Sequence, residues 1–254
     1  MKQYPIYLFD LDDTLINNQT AQSHAFDLVI QNFDFTKSLK LTGSKFLEFE
    51  RSYWNQYHEK KYETKMQELW ETEAIGVSNL THSSVPNATE LSEVARAYRF
   101  QLLLHCSYEV AVQVNNFYMS HQGKKAEALP NVMETLKELR QTAKNYILTN
   151  GPLAIAYEKL ERSGLDSCIS DVIAYEQCGY GKPDPKFYDY AMTKIKPNSL
   201  EQCLMVGDTL SQDIKGANDY GIASCFYNPK QKENTKGIYP TYEIHDFKQL
   251  VKTK

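Results

Sequence analysis

Three acidic side chains follow directly on a short apolar and aromatic run near the start of the chain. The run Ile6–Phe9 is typical of a buried strand, and Asp10, Asp12 and Asp13 come immediately after it. Ligands bind at the carboxyl ends of strands in an open α/β sheet, and carboxylates gathered there repel one another unless a cation neutralises them. The spacing therefore predicts a metal-dependent reaction centre at this strand end.

Two simpler interpretations of the same residues stay open. Asp12 and Asp13 could hydrogen-bond their own backbone in a turn and cap the following helix. A calcium-binding loop is less well supported, because such a loop carries glycine at its sixth position and this sequence has Leu15 there. The acidic run alone does not distinguish a catalytic site from a turn. The other polar segments of the chain are needed to choose between these two interpretations.

Two of those segments offer groups that suit a phosphate. Thr149 and Asn150 precede a glycine and follow an apolar run, so a hydroxyl and several backbone N–H groups could cradle an anion there. Lys182 lies before a proline that favours an extended backbone, and it could supply a single fixed positive charge. Taken alone, the first segment could be an ordinary turn and the second a surface lysine before a helix.

A last pair of acids repeats the arrangement of the first. Asp208 follows the apolar run Leu204–Val206, and Asp213 comes five residues later. Asp208 could cap the next helix, and Asp213 could be an acid favoured in its first turn by the helix dipole. Together with the first acids, however, they predict a carboxylate cluster able to hold a metal cation.

The elements that must position these residues alternate between strand and helix. Apolar strand candidates lie near residues 146–149, 172–175, 204–206, 222–227 and 242–244, and helical patterns separate them. Such alternation indicates right-handed crossovers and a parallel sheet covered on both faces. The fold class predicted is therefore α/β, with a doubly wound, Rossmann-like parallel sheet at its core.

The sequence pattern between the first and second predicted strands indicates helices. We predict an all-helical cap domain over residues 17–125, inserted after the first strand, and a core domain formed by residues 1–16 and 126–254. A polar loop is predicted at residues 76–86 within the insertion. The inserted lobe is expected to lie over the carboxylates.

Composition narrows the class of protein. A net charge of −4 without a basic stripe argues against a nucleic-acid polymer as partner but allows a small phosphorylated metabolite. No apolar run approaches the ~20 residues of a membrane span, so no membrane partner is expected. Residues 1–5 lack an apolar signal core, and the five cysteines lack CxxC spacing, so we expect a cytoplasmic protein with reduced thiols.

Taken in order, the polar segments resemble the four motifs of the haloacid dehalogenase-like (HAD) superfamily, most of whose members are magnesium-dependent phosphatases. Within it, the chain is most similar to the helical-cap subfamily and its pyrimidine 5′-nucleotidase-like branch. The resemblance is carried by Tyr-Leu-Phe-Asp-Leu-Asp-Asp-Thr-Leu (7–15), Thr-Asn-Gly (149–151), Glu-Arg-Ser-Gly-Leu (161–165), Gly-Lys-Pro-Asp-Pro (181–185) and Val-Gly-Asp-Thr-Leu-Ser-Gln-Asp-Ile (206–214).

The resemblance implies two catalytic acids and a metal. Asp10 would attack phosphorus to form an aspartyl-phosphate, and Asp12 would protonate the leaving oxygen and then deprotonate water. Mg²⁺ would be held by the carboxylates of Asp10 and Asp208 and by the backbone carbonyl of Asp12. Asp213 would lie next to the metal ligands without binding the metal itself.

The same resemblance implies a phosphate-binding role for three residues. Thr149, the backbone of Asn150 and Lys182 would bind phosphoryl oxygens, and Lys182 would also neutralise the attacking aspartate. The expected substrate is a small phosphate monoester, with pyrimidine nucleoside 5′-monophosphates as one class. The expected assembly is a monomer or homodimer.

Three other functions on the same fold stay open. A 2-haloacid dehalogenase would share Asp10 but would need neither Asp12 nor Asp208, so these residues count against it. A phosphosugar mutase would keep every motif and differ only in the cap. A non-catalytic phosphate-binding regulator would be expected to have lost an acid or the lysine, and this sequence retains them.

Overall fold

The predicted apolar runs form a parallel sheet in the computed structural model, which describes residues 1–58, 60–73 and 88–251. Its six strands lie in the order β3-β2-β1-β4-β5-β6. They are β1 (Ile6–Phe9), β2 (Lys144–Thr149), β3 (Asp171–Ala174), β4 (Cys203–Gly207), β5 (Ala223–Tyr227) and β6 (Tyr242–Ile244). The α-helices, in chain order, are α1 (Asn18–Asn32), α2 (Gly43–His58), α3 (Glu63–Glu73), α4 (Ala88–Leu104), α5 (Tyr108–Met119), α6 (Val132–Leu139), α7 (Leu153–Ser163), α8 (Pro185–Ile195) and α9 (Lys215–Tyr220).

Both faces of the sheet are covered by helices, because successive strand residues point to opposite sides. On one face, Tyr7 and Phe9 of β1 share a hydrophobic core with buried residues of α6 and α7. On the other face, Ile6 and Leu8 pack in a second core with buried residues of α8 and α9. This two-sided burial explains why the strands are almost continuously apolar, and it confirms the predicted doubly wound α/β fold.

The three central strands bring the polar segments to one edge. Strand β1 pairs in parallel with β2 and with β4, so that Phe9 lies opposite Ile147 and Val206. Because parallel strands end at the same edge, the residues that follow β1, β2 and β4 meet there. This register positions Asp10 and Asp208, which follow β1 and β4, and Thr149, which is the last residue of β2.

The chain divides into two compact units. One comprises Met1–Asn18 and Ala126–Lys254, and the other comprises Gln19–Lys125. Where the second unit is described, its regular elements are the helices α1–α5 and a 3₁₀ turn at Asp34–Leu39. The division into a core and a cap at residues 1–16, 17–125 and 126–254 stays a prediction. The loop predicted at residues 76–86 lies outside the described residues.

The helical unit has an aromatic core of its own. The rings of Phe26 and Phe46 stack at 4.4 Å between centroids, and Phe46 stacks on Phe100 at 5.8 Å. Buried within the same unit, the guanidinium of Arg99 pairs with Glu50 and also donates to Asn115 at 3.3 Å. Of the helices that the structure describes, none has the length and apolar character needed to cross a membrane.

Candidate active site

Strand β1 delivers the first acid to the middle of the sheet edge. Its four residues are buried, and the backbone N–H of Asp10 continues the ladder by donating to the carbonyl of Val206 at 2.9 Å. The Asp10 side chain is only 13% exposed. Its carboxylate is therefore fixed by the core rather than by a mobile loop.

The turn after β1 separates the two remaining acids. Asp13 adopts a left-handed backbone (φ 61°), and its Oδ1 accepts from the backbone N–H of Asn18 at the start of α1, at 3.1 Å. Asp13 thus has the helix-capping contact that one interpretation of the sequence assigned to this run. Asp12 instead accepts a hydrogen bond from the buried Lys159 of α7.

Lys182 links two of the predicted acids. Its side chain is 1% exposed, and Nζ donates to Asp10 Oδ1 at 2.6 Å and to Asp213 Oδ1 at 2.7 Å. Burial lowers the pKa of Lys182, but the neighbouring carboxylates of Asp10 and Asp213 raise it further, to a value above the usual range. Lys182 therefore remains a cation at neutral pH, beside the carboxylate proposed to attack phosphorus.

Asp208 and Asp213 complete a carboxylate cluster. One oxygen from each of Asp10, Asp208 and Asp213 lies within 4.8 Å of the others. Asp213 belongs to a π-helical turn at Leu210–Ile214, and its Oδ2 accepts from the backbone N–H of Thr209 at 2.9 Å. The approach of Asp213 to the end of β4 requires glycine at position 207, because a side-chain carbon there would overlap the carboxylate.

The cluster is electrostatically unfavourable without a cation. Burial raises the pKa of Asp10 to about 7 against the attraction of Lys182, and the charge of Asp213 adds to the rise. Burial, with the charges of Asp10 and Asp213, raises the pKa of Asp208 to about 8. A small divalent cation binds hard oxygen donors and would offset the burial of the Asp10 and Asp208 carboxylates, so this cluster fits Mg²⁺.

The segment Thr149–Gly151 at the end of β2 is held by hydrogen bonds within itself and to Lys182. Thr149 is buried, and its Oγ1 accepts from the backbone N–H of Gly151 at 2.9 Å. The Asn150 side chain clamps the backbone of Lys182, since its Oδ1 accepts from Lys182 N–H at 2.8 Å and its Nδ2 donates to the Lys182 carbonyl at 2.9 Å. Asn150 therefore positions Lys182, in addition to the phosphate contact proposed for its backbone.

A second buried lysine at this edge was missed by the sequence interpretation. Lys159 of α7 is 2% exposed, and its Nζ donates to Asp12 Oδ1 at 2.6 Å and to Asn18 Oδ1 at 2.9 Å. A signal for it does exist in the sequence. Lys159 lies three residues after Ala156 and next to Leu160, on the apolar stripe of its helix, where an unpaired charge is not expected.

The structure thus gathers most of the predicted site residues around two lysines. Lys182 contacts Asp10 and Asp213, Asp208 completes their cluster, and Lys159 contacts Asp12. These contacts bring a buried cation and a carboxylate cluster able to hold a metal together at one edge of the sheet.

Comparison with known proteins identifies the family. The pattern of the haloacid dehalogenase-like hydrolases matches residues 4–221. The chain belongs to the haloacid dehalogenase-like hydrolase family, and it is accordingly an enzyme. The resemblance inferred from the motifs is confirmed.

Two relatives are similar over almost the whole chain. HAD-hydrolase YfnB of Bacillus subtilis is 29% identical over 98% of this chain and 95% of its own length. Pyrimidine 5′-nucleotidase PynA of Streptococcus pneumoniae is 29% identical over 98% of this chain and 94% of its own length.

Solved structures agree with the fold. A magnesium-bound crystal structure of YfnB from Bacillus subtilis has a TM-score of 0.76 at 26% identity, covering 98% of this chain and 97% of that one. A 2-haloacid dehalogenase from Pseudomonas syringae pv. Tomato has a TM-score of 0.63 at 23% identity, covering 98% and 96%. At 23% identity, the similarity to this dehalogenase shows the fold alone.

Proposed function

We propose that this hydrolase is a Mg²⁺-dependent phosphatase that cleaves small phosphate monoesters through a phosphorylated Asp10. The observation that carries the proposal is the 2.6 Å contact between Asp10 Oδ1 and the buried Lys182 ammonium, beside two further carboxylates. A nucleophilic carboxylate, a fixed cation and a metal-suited cluster are the parts that phosphoryl transfer needs, because that reaction depends on positioning and charge neutralisation.

In the proposed reaction, Asp10 attacks phosphorus in line while Lys182 offsets the negative charge shared by the attacking carboxylate and the phosphoryl group. Lys182 is held in place at both its side-chain and its backbone end. Its two carboxylate partners fix Nζ, and the Asn150 side chain fixes the backbone of the same residue. Such preorganisation avoids the cost of reorienting a flexible cation during each turnover.

Asp12 is proposed as the general acid and base. It would donate a proton to the leaving oxygen in the first half-reaction and remove one from the hydrolytic water in the second. Its side chain is 30% exposed, which leaves it open to both partners. Asp12 Oδ2 also faces the turn after β2, since a carbon built on Gly151 would lie 3.8 Å from it.

The cation would be held by the carboxylates of Asp10 and Asp208 and by the backbone carbonyl of Asp12. When bound, Mg²⁺ supplies charge neutralisation to the phosphoryl oxygens. Asp213 is proposed to support this set without joining it, because Lys182 and the Thr209 N–H already occupy its oxygens.

The finer proposal concerns the substrate. We infer a preference for pyrimidine nucleoside 5′-monophosphates, supported by the likeness to PynA over nearly the whole of both chains. The substrate class that the site chemistry itself favours is broader, namely any small monoester whose phosphoryl group reaches Asp10.

A substrate panel tests both levels of the proposal. Phosphate release should be measured with UMP, dUMP, dTMP, purine nucleotides, sugar phosphates and an aryl phosphate, with Mg²⁺ and with chelator. We expect metal-dependent release, fastest with the pyrimidine nucleotides. Release from other esters alone would contradict the nucleotide preference, whereas no release from any ester, or halide release from a 2-haloacid, would contradict the phosphatase.

Metal binding makes a separate prediction about stability. Adding Mg²⁺ at about 100 times its Kd should stabilise the folded protein by about 2.7 kcal/mol, or roughly 5–10 °C in melting temperature. The reason is that a cation removes the repulsion among Asp10, Asp208 and Asp213. Differential scanning fluorimetry measures the shift.

The variant that tests the ligand set is Asp208→Asn, which removes one proposed ligand, and its matched control is Asp166→Asn. It should melt at the same temperature with and without Mg²⁺, while Asp166→Asn, an exposed aspartate away from the cluster, should shift like the unaltered protein. An Mg²⁺ shift that survives Asp208→Asn would contradict the proposed ligand set.

A further inference from the structure

The buried lysine of α7 needs a physical explanation. Removing an ammonium group from water costs several kcal/mol unless it is paired. Lys159 is nevertheless 2% exposed, and it lies on the face of α7 that packs with Ala156 and Leu160 into the core. An apolar side chain at this position would complete the stripe at no such cost.

Lys159 binds the proposed general acid Asp12 and a neighbouring asparagine, Asn18. Its ammonium binds Asp12 Oδ1 at 2.6 Å and is held from a second direction by Asn18 Oδ1 at 2.9 Å. Asn18 is in turn tied to the turn after β1, because its backbone N–H donates to Asp13. The lysine therefore anchors one oxygen of Asp12, while Oδ2 faces Gly151.

The backbone connects this anchor to the phosphate-binding turn. Helix α7 begins at Leu153, directly after Thr149–Gly151, and the Leu153 N–H is fixed by Glu176 Oε1 at 2.9 Å. A lysine two turns along this helix keeps a constant distance to the turn. It can thus set the orientation of the Asp12 carboxylate relative to a phosphoryl group bound there.

We propose that Lys159 is a positioning residue that holds Asp12 Oδ1, so that Oδ2 is aimed at the leaving oxygen and later at the hydrolytic water. The proposal rests on the proposed function of Asp12. It assigns Lys159 no contact with the substrate, which separates it from Lys182. Without the ammonium, the partly exposed Asp12 side chain would be free to turn toward solvent.

The test is Lys159→Met, read in single-turnover kinetics with two leaving groups. With a nucleoside monophosphate, whose alkoxide leaving group needs protonation, the first turnover should slow by at least about 100-fold. With dinitrophenyl phosphate, which needs none, the first turnover should stay within about threefold, and a dinitrophenolate burst should precede a slow steady state. KM should change little with the nucleoside monophosphate and should fall with dinitrophenyl phosphate, because the phosphorylated enzyme accumulates during its steady state.

A double variant separates positioning from a merely structural role. If Lys159 acts through Asp12, the Lys159→Met/Asp12→Asn variant should be no slower than Asp12→Asn alone. Lys137→Met, at an exposed position of α6, should match the unaltered enzyme. Equal loss with both leaving groups, additive loss in the double variant, or full activity of Lys159→Met would overturn the proposal.

Folding does not confound this test. Methionine fits an apolar stripe and the 30% exposed Asp12 can be hydrated, so Lys159→Met should lose less stability than Lys182→Met, which leaves two buried carboxylates without their cation. Lys159→Gln provides a second variant that keeps polar donors without charge, and we expect a smaller loss on the nucleoside monophosphate. Absence of phosphate release by the unaltered enzyme would instead contradict the proposed function itself, and that result is distinct from every outcome above.

Discussion

Replacing Asp10 by asparagine is expected to lower kcat for phosphate release by at least about 10⁴-fold, because an amide does not attack phosphorus. The side chain at the end of β1 is the only one proposed to form a covalent bond with the substrate. The loss should be equal for poor and good leaving groups, since protonation by Asp12 does not replace a missing nucleophile. Steady-state phosphate release measures it.

Loss of the fold would not account for this result. Asparagine has nearly the same shape as aspartate, and burial already disfavours the charged form of Asp10, as its raised pKa of about 7 indicates. We therefore expect Asp10→Asn without Mg²⁺ to melt at the same temperature as the unaltered protein or higher. Asp166→Asn, on the exposed surface, should keep full activity. Substantial turnover by Asp10→Asn would contradict the nucleophile assignment.

Replacing Lys182 by methionine should damage both stability and activity. The ammonium is the shared partner of Asp10 and Asp213, and removing it leaves two buried carboxylates without their cation. Breaking a buried pair in this way costs about 3–5 kcal/mol. Loss of an electrostatic group next to the reacting phosphoryl should lower kcat by about 10²–10³-fold. Denaturant unfolding without Mg²⁺ and steady-state kinetics give the two values.

A compensating variant distinguishes the two effects of Lys182. Lys182→Met/Asp213→Asn removes one of the orphaned charges and should recover part of the lost stability, but it should not recover activity. Lys194→Met, at an exposed site on α8, should change neither. Recovery of activity together with stability would indicate that Lys182 serves the fold rather than the chemistry.

The strands and the order of the site segments were predictable because each depends on local pattern. Apolar runs such as Ile6–Phe9 are long enough to indicate buried strands, and parallel pairing then places the residues after β1, β2 and β4 at one edge. Asp184 at the start of α8 is a further local signal, since its side chain accepts from Lys186 N–H at 2.9 Å as a helix cap does.

The contacts within the site were not predictable in the same way. The clamp from Asn150 to the Lys182 backbone joins residues 32 positions apart, and the Lys159–Asp12 pair joins residues 147 apart. Sequence periodicity shows that Lys159 falls on a buried stripe, but the identity of its partner depends on how α7 packs against the turn after β1. The π-helical turn that brings Asp213 beside Asp10 likewise has no local signature.

Trapping of the phosphorylated enzyme tests the central claim most directly. Enzyme with Mg²⁺ should be mixed with a radiolabelled phosphate monoester, quenched in acid within the first turnover, digested and mapped. The account predicts label on the peptide that contains Asp10, released by hydroxylamine as an acyl phosphate is, and no label with Asp10→Asn. Phosphate release without protein-bound label, or label on a different residue, would contradict it.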